Sequence, residues 1–451
     1  MSAPATETET PDHAELRALL EAGDEAAARA AIADLHPADL ADVLDALDQP
    51  ERQLQLFRLL EPETASEVVR EISEHSKASL VELLSDARLS AVLERLDTDD
   101  AADLLGHLDE DRKDRLLRRT SPEARRNVAG LLTYAEDTAG GIMKTEVATA
   151  TTLSTVREVI ESIRRHADDY HDIQEIYVTD EQRRLKGVVP LRELLLFDDE
   201  TPLERFMQTE TVPVDVDMDQ EEVARVFGKY DLLSVPVLDS LGRVVGRITV
   251  DDIVDVIAEE ATEDILKLAG VGDESFVGAS PFDAVRSRLP WLVFNFATAG
   301  LSALIIAQFE ETIRQVAVAA ALMTVISAMA GNAGTQTMTV LVRAIALGEA
   351  RGPQARRLLA REALTSLING ALLGLSGALI VYLWRGDARV AAVMGFALLI
   401  NLQVSAAVGT MVPLVLRSFS LDPAVASSVL VTAATDWAGF FVFLALLSVM
   451  L

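Results

Sequence analysis

Asp436 stands in an otherwise uncharged stretch, residues 424–451, within Thr432-Ala433-Ala434-Thr435-Asp436-Trp437-Ala438-Gly439. A carboxylate in a segment long enough to cross a bilayer costs several kcal/mol unless it is neutralised, paired or facing water, so it marks a functional site. Two polar clusters lie in other apolar stretches: Asn332, Thr335, Gln336 and Thr337 beside Gly331 and Gly334, and Asn401, Gln403 and Ser405. Hydrogen bonding between helices accounts for any single one. Together with Asp436 they read as the lining of a polar path. No Lys or Arg lies inside these stretches, so an anion would find no partner there. Asp, Asn, Thr and backbone carbonyls are hard oxygen ligands, suited to Mg²⁺ rather than to softer metals. Mg²⁺ sheds its water reluctantly, so contact with the hydrated ion is the expected mode. The residues themselves leave Co²⁺ and Mn²⁺ open as alternatives.

A second set of carboxylates lies outside the apolar stretches, in three clusters. Asp99 and Asp103 stand with Asp97 and Asp100. Asp219 stands with Asp215, Asp217, Glu221 and Glu222. Asp251, Asp252, Asp255, Glu259, Glu260, Glu263 and Asp264 follow one another closely. A solvated face explains each cluster alone. Three of them edging domains that must touch would repel one another, and divalent cations would bridge them. Such an arrangement senses an ion: domains draw together when it is abundant and spread when it is scarce.

The elements that hold these groups follow from how charge is distributed. The chain has 451 residues, 71 acidic and 40 basic side chains, a net charge of −31 and no Cys. That charge excludes binding driven by attraction to a nucleic-acid backbone. The lack of Cys excludes disulfides, thiolate zinc sites, iron–sulfur centres and cysteine nucleophiles. Residues 288–451 carry ten Arg and seven Asp or Glu, a net of +3, which leaves −34 for the first 287 residues. An acidic front is joined to an apolar rear. The rear has uncharged stretches at 289–309, 315–342, 363–384 and 390–416 besides 424–451. Each is long enough to cross the hydrocarbon layer, so five membrane helices are expected, at about 289–309, 313–342, 363–384, 390–416 and 424–451. The start, MSAPATETETPD, lacks the basic start and apolar core of a signal peptide, so the front is expected to stay in the cytoplasm, where it is made. Eight Arg then flank the inner face and three the outer, in line with the positive-inside rule. The odd count places the C-terminus outside.

Within the front, residues 15–130 repeat a short helical unit, as in LHPADLADVLDAL, LEPETASEVVREI and LSDARLSAVLERL. Pro or Asp opens each unit and Leu or Val recurs at three- and four-residue spacing, the pattern of a stacked helical solenoid. From about residue 138 short strands alternate with helices in two half-repeats. Met143 and Met207 are 64 residues apart, and Gly187 and Gly246 are 59 apart. Two sheet-and-helix modules should pack as a pseudo-symmetric pair.

With these pieces in place, the sequence resembles the MgtE family of magnesium transporters and channels over nearly its whole length. The resemblance rests on TAGGIMKTE (138–146), residues 242–271, LPWL (289–292), GNAGTQ (331–336), LVRAIALGE (341–349), Pro413 to Ser427 and TDWAGF (435–440). It implies a multidomain chain: an all-α superhelical N domain (15–135, after a flexible 1–14) and an α/β tandem CBS domain (138–260). A connecting or plug helix (261–287) and an α-helical transmembrane domain with five membrane helices (288–451) would follow. It further implies a homodimer in the inner membrane, with Asp436 binding hydrated Mg²⁺ and Asn332, Thr335 and Gln336 lining the pore. Asp99, Asp103, Asp219, Asp251, Asp252, Asp255, Glu260, Glu263 and Asp264 would sense cytosolic Mg²⁺, and high Mg²⁺ would close the plug. ATP between the CBS modules is implied as well. The second module keeps Gly246, Thr249 and Asp252 for it, whereas the first has Pro190 and Glu193 after Gly187. A CBS-regulated receptor or enzyme is the competing class. It requires a nucleophile, base or metal constellation at a membrane face, and neither that nor a P-loop is found.

Overall fold

The computed structural model describes residues 11–450 except 34, 48, 167–172, 272–280, 347, 351, 420 and 425–426. It forms two compact units, residues 1–258 and 259–451. Residues 1–10 of the expected flexible terminus and residues 272–280 of the expected plug segment lie outside the described residues.

The first unit opens with short helices: α1 (Pro11–Ala22), α2 (Glu25–Ile32), α3 (Pro37–Asp45), α4 (Pro50–Leu59) and α5 (Pro62–Glu71). They continue as α6 (Glu74–Leu83), α7 (Asp86–Leu93), α8 (Thr98–Gly106), α9 (Glu110–Leu117) and α10 (Pro122–Leu131). Their starts follow the sequence pattern, with Pro in the first turn of α3, α4, α5 and α10 and side-chain caps from Ser73, Ser85, Asp109 and Ser121. Helices two apart pack on each other, α3 on α5, α4 on α6, α5 on α7 and α8 on α10, as a solenoid requires. Arginines staple the stack. Arg88 of α7 donates to the Leu60 carbonyl at the end of α4, and Arg112 of α9 to Val81 and Leu84 at the end of α6. Each satisfies carbonyls that a helix end leaves unpaired.

Two three-stranded sheets follow. The first holds β1 (Thr149–Thr151), β2 (Glu175–Thr179) and β3 (Leu185–Pro190), with α11 (Val156–Arg165) after β1. The second holds β4 (Val214–Asp215), β5 (Ser234–Leu238) and β6 (Val244–Thr249), with α12 (Gln220–Tyr230) between β4 and β5. In both, the first pair is parallel and the second antiparallel, with a bulge after Val178 in one and after Val237 in the other. Gly187 sits opposite Val178 and Gly246 opposite Val237, so the glycines 59 residues apart are equivalent. The two sheets meet at a buried hydrogen bond of 2.7 Å between Tyr177 Oη and Ser234 Oγ. Helix α13 (Val250–Leu268) leaves β6 and runs unbroken past residue 260.

The second unit contains α14 (Pro281–Ala307), α15 (Glu310–Gln315), α16 (Ala319–Ala346), α17 (Gly352–Arg385), α18 (Ala388–Ser418) and α19 (Ser427–Met450). The expectation of five membrane helices is corrected here. Among the described residues four helical stretches are long and apolar enough to cross a membrane: Ala284–Ala307, Pro353–Arg385, Ala388–Ser418 and Ser428–Met450. The expected second span does form a helix, α16, 28 residues long, but it is not one of the four. Asn332, Thr335, Gln336 and Thr337 in its middle lower the apolar character that a span needs. A stretch free of charge is not thereby hydrophobic. The odd-number argument for an outward C-terminus falls with the count.

Close packing within this unit depends on glycine. A Cβ on Gly374 of α17 would lie 2.6 Å from the Gly395 carbonyl oxygen of α18, and one on Gly409 would lie 2.6 Å from the Gly334 carbonyl oxygen of α16. Small residues let helix backbones approach where apolar burial gives little drive for association.

Candidate ion path and acidic seam

In the first unit the chemistry converges where α8 begins, where α13 begins and where residues 143–146 run between them. Lys144 is clamped on β6 by two 2.8 Å backbone hydrogen bonds with Arg247, one in each direction. A Cβ on Gly246 would lie 2.5 Å from Met143 Sδ and 2.9 Å from the Lys144 carbonyl oxygen, so only glycine lets this segment lie so close. Thr98 at the start of α8 joins from the helical side. Its Oγ accepts from the Thr145 amide at 2.9 Å and donates to Glu146 at 3.0 Å.

Lys144 is 1% exposed. Its Nζ lies 3.0 Å from Asp252, 3.5 Å from Asp97, 3.6 Å from Asp251 and 4.0 Å from Asp99. Arg70 of α5 pairs with Asp100 at 3.2 Å. Carboxylate oxygens of Asp97, Asp99 and Asp100 lie within 4.8 Å of one another. Burial, together with the Asp100 charge, holds Asp99 protonated well above the usual carboxylate range. Burial raises Asp100 to about 7 despite Arg70 and Lys144. Burial and the nearby Glu71 and Asp252 also raise Asp255. Such crowding is relieved by protons or by a cation.

The pH consequence has a definite sign. Asp99 and Asp100 both have raised affinity for protons in the packed state; the contribution of Asp100 is full below about pH 4 and is lost as pH rises through about 7, and that of Asp99 has the same sign. Without divalent cations, α8 amides of the full-length protein are expected to exchange faster at pH 8 than at pH 6. Equal exchange, after correction for the intrinsic pH effect, would contradict this.

The other carboxylates have different settings. Asp219 caps α12, accepting from the Glu221 and Glu222 amides. Asp252 accepts from both the amide and the hydroxyl of Thr249, which ties these two proposed nucleotide contacts to each other and to Lys144. Toward the far end of α13, in the second unit, Lys267 pairs with Glu263 and, at 2.9 Å, with Asp422 of the α18–α19 loop. Burial, with Asp422 and Glu260, pushes Asp264 up to about 6. Leu268 packs with Met338 and Val342 of α16, Ala424 of the α18–α19 loop and Val431 of α19, so this end of α13 is seated on the helical bundle.

Within the bundle Asp436 is half-buried, and Ser327 of α16 donates a 2.5 Å hydrogen bond to it. The neighbouring Trp437 donates to the Thr298 carbonyl of α14 at 3.1 Å, fixing the rotation of α19. One hydroxyl leaves most of a carboxylate's acceptor capacity unused, enough to hold waters of a hydrated cation. Asn401 is fully buried, its amide against Gly439, and neither amide atom has a hydrogen-bond partner among the described residues. The α16 cluster is split by helix phase. Gln336 is nine residues from Ser327, which at about 100° per residue puts it on the opposite face. There it lines a separate cavity of about 460 Å³ with Thr337, Glu362, Thr365, Ser366 and Asn369. Asn332 is exposed and Thr335 half-buried on this chain.

The sequence reading missed Ser327, Lys144 and Glu362. Glu362, Thr365, Ser366 and Asn369 recur at three-, four- and seven-residue spacing, a one-face signal that was available. Replacing Ser327 with Ala removes the hydroxyl donor to Asp436 and keeps the charge. Ion flux is expected to fall by about tenfold, the lower end of what a hydrogen bond to a charged group contributes; an unchanged rate would detach Ser327 from the site.

Comparison with known proteins bears on the whole arrangement. The MgtE family profile, described as a divalent cation transporter, matches residues 323–446, the MgtE intracellular N domain matches 35–137, and CBS domains match 139–200 and 203–259. The magnesium transporter MgtE of Thermus thermophilus is 36% identical over 441 residues, 97% of this chain and 98% of that one. The chain belongs to the MgtE family. The Enterococcus faecalis member is 36% identical over 306 residues, 68% of this chain. Among solved structures, the cytosolic domain of the Mg²⁺ channel MgtE in complex with ATP is similar with a TM-score of 0.52. It is 39% identical and covers 54% of this chain and 99% of that one. The soluble part of a magnesium transporter follows with a TM-score of 0.50 and 31% identity over 55% of this chain.

Membership in the MgtE family makes this a multi-pass membrane transporter, not an enzyme, with its N domain inside the cell. The helical repeat, the paired modules and the bundle are thereby the family's N domain, CBS pair and transport domain.

Proposed function

We propose that this chain carries Mg²⁺ into the cell across the inner membrane as a homodimer, and that cytosolic Mg²⁺ closes the path through the acidic seam. The observation that carries the reading is Asp436, the one charged residue of α19, held by Ser327 of α16. A lone carboxylate repeated by a two-fold axis supplies two negative charges, matched to a divalent ion. Its hard oxygen and the surrounding hydroxyls and amides favour hydrated Mg²⁺. The relatives described as magnesium transporters support that choice over Co²⁺ or Mn²⁺.

Asn332 and Thr335 join Asp436 as pore-lining groups, while Gln336 belongs to the cavity beside α17 and α18. Asp99, Asp251 and Asp252, together with Asp103 and Asp255, form the sensing surface of the first unit. Glu260, Glu263 and Asp264 form that of the second, where the plug (261–287) begins with the end of α13, seated by Leu268 and the Lys267–Asp422 pair. Asp219 serves α12 as a cap.

ATP at the CBS pair is the finer reading supported by the ATP complex of the related cytosolic domain. On this chain Thr249 and Asp252 would have to serve a nucleotide while bonded to each other. Mg²⁺ flux into proteoliposomes, with Co²⁺ and Mn²⁺ as competitors, tests the transport reading. Mg²⁺ should be carried in preference to both, and a protein that moved Co²⁺ or Mn²⁺ better would overturn it.

A further inference from the structure

Lys144 lies in the first unit, outside the membrane helices, and is the most buried charge in the seam. An exposed ion pair contributes little. This one is different in kind: a 1% exposed ammonium stands 3.0–4.0 Å from four carboxylates. Two of them, Asp97 and Asp99, belong to the start of α8, and two, Asp251 and Asp252, to the start of α13. The lysine backbone is fixed to β6, so its charge belongs to the second CBS module and reaches across to the N domain.

The seam is still short of positive charge. Asp97, Asp99, Asp100, Asp251 and Asp252 face Lys144 and Arg70, which leaves formally three negative charges when all are ionised. Asp99 is 7% exposed, and its Oδ1 accepts no hydrogen bond among the described residues. An orphaned, buried carboxylate oxygen beside two other carboxylates is a place for a further cation.

We propose that Lys144 is a tethered counter-ion. It holds one cation's place in the seam, so the N domain docks on the second CBS module at Mg²⁺ levels too low to neutralise the seam with ions alone. This rests on the Mg²⁺-sensing reading and adds to it what sets the working concentration. A mobile ion must be recruited from solution and its binding scales with concentration, whereas the lysine is always present. The residue at position 144 thereby adjusts how much Mg²⁺ closes the path without touching the pore.

The test is hydrogen exchange of α8 amides in the full-length protein in detergent, titrated with Mg²⁺ from a chelated start. Lys144→Met keeps the length and apolar stem of the side chain and removes its charge. Its midpoint is expected to rise by about tenfold, within the usual range of coupling between sites, while Lys144→Arg stays within about twofold of the wild type. Asp97→Asn combined with Lys144→Met removes one charge of each sign and should return the midpoint to within about threefold. An unchanged or lowered midpoint in Lys144→Met overturns the proposal. So does a double variant as impaired as Lys144→Met, which would make the effect one of packing. Protection of β5 and β6 reports the fold in the same data. If Lys144→Met loses it, the double variant is compared with Asp97→Asn alone, and a higher midpoint in the double supports the tether while an equal one overturns it. If wild-type α8 ignores Mg²⁺, the sensing reading fails by itself. Protection in chelator then decides the tether: its loss in Lys144→Met supports it, and its persistence overturns it.

Discussion

Asp436→Asn is expected to lower Mg²⁺ flux through the reconstituted protein by roughly a hundredfold while leaving a folded, membrane-inserted protein. The substitution keeps the shape and the acceptor for Ser327 and removes the charge. A hydrogen bond to a charged group contributes about 1.5–3 kcal/mol, and the upper end is already a factor above 100 in occupancy. In a homodimer the loss counts twice. Stability should change little, because a neutral amide is cheaper to hold in a bilayer than a carboxylate. Radiotracer or dye-reported Mg²⁺ entry into liposomes measures the first expectation, and thermal unfolding in detergent measures the second. A variant that carries Mg²⁺ at the wild-type rate would remove Asp436 from the path.

The second large effect is on control. Neutralising Asp97, Asp99 and Asp251 together as Asn removes both the repulsion and the ligands at the start of α8 and α13, while Asp252 keeps its bonds to Thr249. An ion that binds only the docked state at a hundred times its Kd contributes about 2.7 kcal/mol, close to a hundredfold shift between docked and undocked forms. Without its ligands that shift disappears. Flux of the triple variant should therefore respond to cytosolic-side Mg²⁺ by less than about a fifth of the wild-type range, with permeation intact. A full response would move sensing to the α13 end, where Glu263, Asp264 and Asp422 stand around Lys267.

Much of this was legible in the residues, and the exceptions have physical causes. The solenoid follows from Pro and Asp starts with Leu spacing, and the paired modules from glycines 59 residues apart, because local capping and backbone needs repeat with the chain. Asp436 stood out because charge is rare in a membrane. Lys144 did not, since its burial depends on α8 arriving from 46 residues away in sequence, which no local pattern contains. Gly246 suggested a nucleotide contact, and it gives room for Met143 and Lys144. For α16, counting charges gave a fifth span where Asn332, Thr335 and Gln336 make the helix too polar. Helix phase separates Gln336 from the Ser327 face of α16, nine residues away.

These expectations meet in Mg²⁺ entry into proteoliposomes, followed as cytosolic-side Mg²⁺ is raised, for the wild type and Asp436→Asn side by side. The wild type should conduct at low cytosolic Mg²⁺ and shut as it rises, and the variant should stay silent throughout. Undiminished entry through Asp436→Asn would contradict the account.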